Sequence, residues 1–154
     1  MKRLLLVVLI MLSPSLYAAK ETFDVSAADP EMNNAIKKAQ ETIGSFWKHY
    51  NKPGPNEKDF MIKVKIEDAG GVEHFWCGNI QLKDGAVYGD LWNYPEVVKS
   101  VKYGETVKID PTAISDWMYY RDGKIVGGFT IRVLLKYLDE GERKRYENML
   151  GPEE

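Results

Sequence analysis

The chain has 154 residues, 21 Lys and Arg against 23 Asp and Glu, a formal net charge of −2 and one cysteine. That balance argues against a nucleic-acid partner, because affinity for a phosphate backbone grows with the number of Lys and Arg contacts. With Cys77 alone an internal disulfide is excluded, so stability must come from packing, and the thiol is read as a small buried hydrophobe.

The first element is a three-part leader. Met1-Lys2-Arg3 is basic, Leu4 to Leu12 is an unbroken apolar run, and Ser13-Pro14-Ser15-Leu16-Tyr17-Ala18 is a small-residue exit. This is the build of a secretory signal peptide cut after Ala18. The apolar run falls short of the ~20 residues a membrane-spanning helix needs, and no cysteine directly follows it to carry a lipid. The sequence therefore predicts a periplasmic product without a membrane anchor. Residues 1–18 are the signal peptide and residues 19–154 a single domain of common size. Cleavage also removes Lys2 and Arg3, which makes the mature domain more acidic.

Residues 19–28 read as a polar lead-in. Asp29-Pro30 then marks a helix start, with Asp as the cap and proline at a position whose N–H has no helical partner. Met32, Ala35, Ile36, Ala39, Ile43, Phe46, Trp47 and Tyr50 follow at steps of three and four, a single apolar stripe. Lys52-Pro53-Gly54-Pro55 ends it. The period then changes to two: Phe60, Ile62, Val64 and Ile66 alternate with Met61, Lys63, Lys65 and Glu67, giving a strand with one buried and one wet face. Gly70-Gly71 turns the chain into a second strand over residues 72–77. Asp84-Gly85 and Asp122-Gly123 carry the chemistry of tight hairpin turns, and a further strand is predicted over residues 105–109. Ile131, Leu134, Leu135 and Leu138 return to helical spacing, and Asp139 with Glu142 forms a capping box for a last helix ending at Gly151-Pro152. The fold class is α+β: a curved antiparallel sheet or partly closed small barrel, packed by an N-terminal amphipathic helix, with short C-terminal helices.

Two blocks of this sequence carry a resemblance. Gly71-Val72-Glu73-His74-Phe75-Trp76 and the longer run from Ile114 through Asp122-Gly123 to Val133 resemble the signature blocks of the bacterial YegJ-like family, and the likeness extends from about Asp29 to Val133. That family is a domain of unknown function. The resemblance implies one domain and brings no substrate, catalytic residue or cofactor.

The reactive constellations are weak when taken one by one. His74 and Cys77 differ by an odd number on a strand, so they point to opposite faces and make no dyad. Ser115, Asp116 and His74 are the residue types of a hydrolase triad, but no nucleophile elbow surrounds Ser115, and Ser115-Asp116 are read as local backbone ties. His49 and His74 lack the spacing of a metal site. Gly127-Gly128 with Arg132 could seat an anion at the following helix start. No catalytic residue, metal or cofactor is assigned.

The remaining feature is aromatic density between the two blocks. A two-faced sheet with rings at odd and even positions cannot hide them all under one helix, so some are expected at the surface as binding anchors. The leading expectation is a non-catalytic periplasmic binding or interaction module presenting Glu73, His74, Trp76, Asp116, Trp117, Tyr119 and Arg132 to an unknown envelope protein or small ligand. One alternative is a small cell-envelope hydrolase with His74 as acid or base and Glu73 or Asp116 as its partner. Another is an inhibitor or protective partner of an envelope protein. Oligomeric state is left open.

Overall fold

The computed structural model describes residues 3–8, 21–26 and 29–154. The chain runs β1 (Arg3–Val8), β2 (Glu21–Ser26), α1 (Pro30–Asn51), β3 (Glu57–Asp68), β4 (Gly71–Lys83), β5 (Ala86–Leu91), β6 (Thr106–Ile109), β7 (Ile114–Arg121), β8 (Lys124–Gly127), α2 (Phe129–Leu134) and α3 (Glu140–Met149). Strands β3 to β8 form one antiparallel sheet in the order β6, β5, β4, β3, β7, β8. Its outer strands do not pair with each other, so the sheet is open and the barrel alternative is set aside. Register slips between Lys58 and Met61, Lys63 and Val64, and Gly78 and Gln81 bend the strands that carry them.

Local chemistry accounts for the element boundaries. Asp29 caps α1 by accepting the Met32 N–H at 2.9 Å, a contact worth about 1 kcal/mol, and Pro30 opens the helix. Asp84-Gly85 and Asp122-Gly123 all take positive φ and close the β4–β5 and β7–β8 hairpins. Asp139 caps α3 through the Glu142 N–H, also at 2.9 Å, and the helix ends at Met149, two residues before the predicted stop. Gly127 and Gly128, with φ of 78° and 65°, let the chain leave β8 and enter α2.

The sheet is covered on both faces. On one, Ala35, Ala39 and Phe46 of α1 pack on Ile62, Val64, Phe75, Cys77, Trp117 and Tyr119. On the other, Ile131, Leu134 and Tyr146 from α2 and α3 pack on Met61, Trp76 and Met118, joined by Met32 from the start of α1. The face of β3 read as wet is therefore partly sealed: Lys63 has no exposed surface.

The N-terminal segment carries two short strands. Residues 3–8, within the predicted leader, form β1, which pairs antiparallel with β2 and parallel with β4 at Leu5–Glu73 and Leu6–His74. Residues 21–26, read as a lead-in, are β2. A run of Leu and Val also suits a strand, and β4 offers an edge there that β5 does not reach. The predicted cut after Ala18 lies outside the described residues. No helix among the described residues is long and apolar enough to cross a membrane.

Candidate functional site

Where α1, β3, β4 and β7 meet, they enclose a cavity of about 280 Å³ lined by Asn33, Ile36, Gln40, Lys65, His74, Thr112, Ala113, Ile114 and Ser115. Alternation on β3 and β4 makes Lys65 and His74 cross-strand neighbours. The slip between Lys63 and Val64 leaves Ser115 opposite no residue, which turns its hydroxyl toward β4. His74 Nδ1 lies 2.7 Å from Ser115 Oγ, and Ser115 Oγ donates to the Lys63 carbonyl at 3.3 Å. With the hydroxyl proton on Lys63, Nδ1 must carry the ring proton. His74 Nε2 is then an acceptor, buried and without a hydrogen-bond partner.

Burial, followed by the positive charges of Lys63 and Lys65, pushes the His74 pKa down to about 3. The ring is neutral at physiological pH. Because the folded value lies below the ordinary 6.5, the unfolded chain takes up this proton first as pH falls. The stability that His74 contributes is complete above pH 6.5 and is lost as pH drops from 6.5 towards 3. At ~1.4 kcal/mol per unit the full loss is on the order of a few kcal/mol. His74→Gln, which cannot titrate, should flatten that part of the acid limb in urea melts taken between pH 7 and 4. Curves with the same slope would mean that the ring titrates normally.

Behind the cavity lies a second polar group. Lys63 and Asp116 are cross-strand partners with no exposed surface. The Lys63 ammonium donates to Thr130 Oγ1 at 3.1 Å and lies 5.0 Å from the centre of the Trp76 ring. Burial pushes its pKa down to about 8, opposed by the Asp116 charge. The Asp116 carboxylate accepts from the N–H groups of Trp117, Phe129 and Thr130 at 2.8, 3.1 and 2.8 Å, and from Thr130 Oγ1. Burial raises its pKa while Lys63 and these donors oppose the rise. The N–H groups that follow Gly127-Gly128, which could have seated an outside anion, are taken by the protein's own Asp116.

Glu73 points away from His74, and its role is to hold a loop. Its buried carboxylate accepts the N–H groups of Glu96, Val97 and Val98 at 2.9, 3.0 and 2.7 Å, while Asp68 accepts those of Lys99 and Ser100. Those backbone donors hold the Asp68 pKa down at about 2. Glu73→Ala should strand three donors, at about 1–3 kcal/mol for each buried one. Hydrogen exchange would then quicken at residues 96–98 while β3 stays protected; unchanged exchange would remove this assignment.

The expected aromatic surface is corrected by the burial pattern. Trp76, Trp117 and Tyr119 have no exposed surface, because helices cover both faces of the sheet where one covering helix was assumed. The most exposed rings among the described residues are instead Tyr94, Tyr103 and Tyr137, with Tyr94 70% exposed and stacked on Tyr103 at 4.5 Å. Arg132 is half-buried and donates to the Gly127 and Gly151 carbonyls. Cys77 is buried, and desolvation pushes its thiol up to about 12, which leaves it unreactive. Of the seven expected binding residues, only His74 lines the cavity; Asp116 supports its floor through Lys63. Sequence reasoning missed Lys63, Lys65, Asn33, Gln40 and Thr112. The signal for Lys63 was the apolar helical spacing after residue 129, which requires a second buried sheet face.

A family described as "Uncharacterized protein conserved in bacteria (DUF2314)" matches residues 29–153. The chain is 40% identical over 104 residues to "Uncharacterized protein YegJ" of Escherichia coli (strain K12), covering 68% of this chain and 67% of that relative. It is 33% identical over 135 residues to a "Putative ankyrin repeat protein" of Neisseria meningitidis serogroup B, covering 82% of this chain and 53% of that relative, about half its length. No solved structure matches the chain.

Proposed function

The chain belongs to the DUF2314 family of uncharacterized bacterial proteins, and on that premise we propose that it is an exported, non-catalytic binding module with its ligand seat at the cavity beside His74. Export rests on the three-part pattern of residues 1–18. The binding reading rests on one observation: a buried ring nitrogen without a partner, on a residue lining a cavity of metabolite size. A buried acceptor left unpaired costs about 1–3 kcal/mol, which a ligand donor would recover.

The lining supports one ligand class. Lys65 supplies a cation, His74 an imidazole whose Nε2 is an unpaired acceptor, Thr112 a further polar group, and Ile36 and Ile114 an apolar wall. A small acid with a hydroxyl or amide N–H beside its carboxylate fits that set. Lactate and N-acetylglycine are suitable probes. Either should raise the melting temperature of the wild type, and the rise should shrink in Lys65→Glu. If neither probe shifts the wild type at tenfold steps up to tens of millimolar, this ligand class is wrong.

The hydrolase reading has one observation in its favour, the 2.7 Å contact between His74 and Ser115. Three features oppose it. A ring with a pKa near 3 is a poor base at neutral pH, Nδ1 is the protonated nitrogen in this pairing, and no carboxylate orients the ring among its hydrogen bonds. Ester hydrolysis abolished by Ser115→Ala in a folded variant would reinstate it.

A further inference from the structure

Residues 150–154 lie against β8 as an added strand does. Leu150 bridges Ile125 in parallel, the Gly151 N–H donates to the Ile125 carbonyl at 2.7 Å, the Gly127 N–H donates to the Pro152 carbonyl at 3.3 Å, and Arg132 Nη2 holds the Gly151 carbonyl at 2.7 Å. The two acids that follow each enter a cationic seat. Glu153 pairs with Lys38 and lies 3.5 Å from Arg132 Nε. Glu154 accepts from Arg121 Nη1 at 2.5 Å, Nη2 at 3.1 Å and the Tyr119 hydroxyl at 3.2 Å, with His49 Nε2 at 3.7 Å.

The seat for Glu154 is organised by groups outside this segment. Glu57 accepts from Arg121 Nε at 2.8 Å, lies 3.0 Å from His49 Nδ1 and accepts the Gly54 N–H. Arg121 Nη2 donates to the Tyr119 hydroxyl at 2.6 Å, and the Tyr119 ring is stacked on Phe60 at 4.8 Å and on His49 at 5.3 Å. A guanidinium aligned by one carboxylate and presenting two donors to another is a strong arrangement for carboxylate recognition. Beside the Glu153 seat, Lys38, Arg132, Asn34, Phe129 and Val133 border an open cavity of about 310 Å³.

We propose that the outer edge of β8, with the Arg121–Tyr119–His49 and Lys38–Arg132 seats, is a receptor for an extended acidic peptide, and that residues 150–154 are its intramolecular occupant. Backbone pairing to β8 supplies direction, and two adjacent carboxylates supply selectivity. The tethered segment competes through its high local concentration. It remains displaceable because its ion pairs are partly exposed, with Arg121 and Glu154 side chains 27% and 33% exposed, so a competing carboxylate can reach the same donors. A partner protein carrying a small-residue turn followed by two acids would engage this edge and release residues 150–154. This receptor is separate from the His74 cavity and does not depend on its occupancy.

The test uses the full chain with E153Q and E154Q, and two synthetic peptides: N-acetyl Leu-Gly-Pro-Glu-Glu and its Gln-Gln counterpart. Binding measured by calorimetry should be at least tenfold tighter for the acidic peptide on the double variant than on the wild type. It should be absent for the Gln-Gln peptide, lost on adding Arg121→Gln, and weakened by salt. Equal binding to wild type and double variant, or binding indifferent to Arg121→Gln, overturns the proposal. Should the double variant fail to fold, the acidic peptide titrated into the wild type must move the amide resonances of Gly127 and Gly151 and the Arg121 Nε signal. If those signals stay fixed, or the Gln-Gln peptide moves them equally, the receptor does not exist.

Discussion

Asp116→Ala is expected to lower stability by about 3–5 kcal/mol, the range for removing one partner of a buried charge pair. The substitution leaves the fully buried Lys63 ammonium with Thr130 and the Trp76 ring, and strands the N–H groups of Trp117, Phe129 and Thr130. For a domain of this length that is a fall of ~10 °C or more in melting temperature. Lys63→Met behaves differently. It removes a desolvated cation and keeps every donor to Asp116, whose pKa burial already raises and which can take up a proton once the Lys63 charge is gone, so the loss should be the smaller of the two, at about 1–2 kcal/mol. Calorimetric melts of the two variants decide the matter. If Lys63→Met is the more damaging, the ammonium and not the carboxylate organises this face of the sheet.

Trp117→Ala should also remove about 3–5 kcal/mol, the range for truncating a large buried aromatic. The ring has no exposed surface, and its Nε1 donates to the Ala39 carbonyl of α1 at 3.0 Å. It meets Phe46, Tyr119 and Phe129 at centroid distances of 6.1, 6.2 and 5.5 Å. Loss of the ring thus opens a void between helix and sheet. Tyr94→Ala, at a site 70% exposed, is expected to change stability by no more than about 0.5 kcal/mol. Chemical denaturation of both variants checks the contrast. A Trp117→Ala protein as stable as Tyr94→Ala would return Trp117 to the surface role that its burial denies.

The elements were legible because each depends on neighbours in sequence. Asp29-Pro30 sets the start of α1, the alternation from Phe60 to Ile66 defines β3, and the Asp-Gly pairs fix two hairpins. Where the reading failed, the cause was tertiary. Alternation shows that Lys63 and Phe75 lie on opposite faces, but it does not show that both faces are covered, and that covering buries Lys63, Trp76 and Asp116 together. The spacing of Ile131 and Leu134 predicts a helix, as found, but spacing alone does not say which sheet face that helix covers. The His74–Ser115 contact depends on the register slip at Lys63 and Val64, a two-against-one pairing that period-two reasoning does not anticipate. Glu73 looked like a site residue because it adjoins His74, but alternation sends it to the 96–98 loop.

The Asp116 and Lys63 pair also braces the candidate seat. The Lys63 carbonyl receives the Ser115 hydroxyl, and the Lys63 side chain is tied through Thr130 to the Asp116 carboxylate that anchors the start of α2. The orientation of His74 therefore depends on groups behind the cavity as well as those lining it. Second-layer support of this kind holds a polar group in place before a ligand arrives.

Nitrogen-15 NMR of the folded protein titrated with N-acetylglycine tests the binding seat most directly, because it reports the location of binding and the state of the His74 ring together. Shifts are expected only at residues 33–40, Lys65, His74 and 112–115, with a neutral His74 whose Nδ1 is protonated and whose Nε2 signal moves on binding. Shifts centred elsewhere, or a His74 ring that protonates near pH 6.5 and ignores the probe, would contradict it.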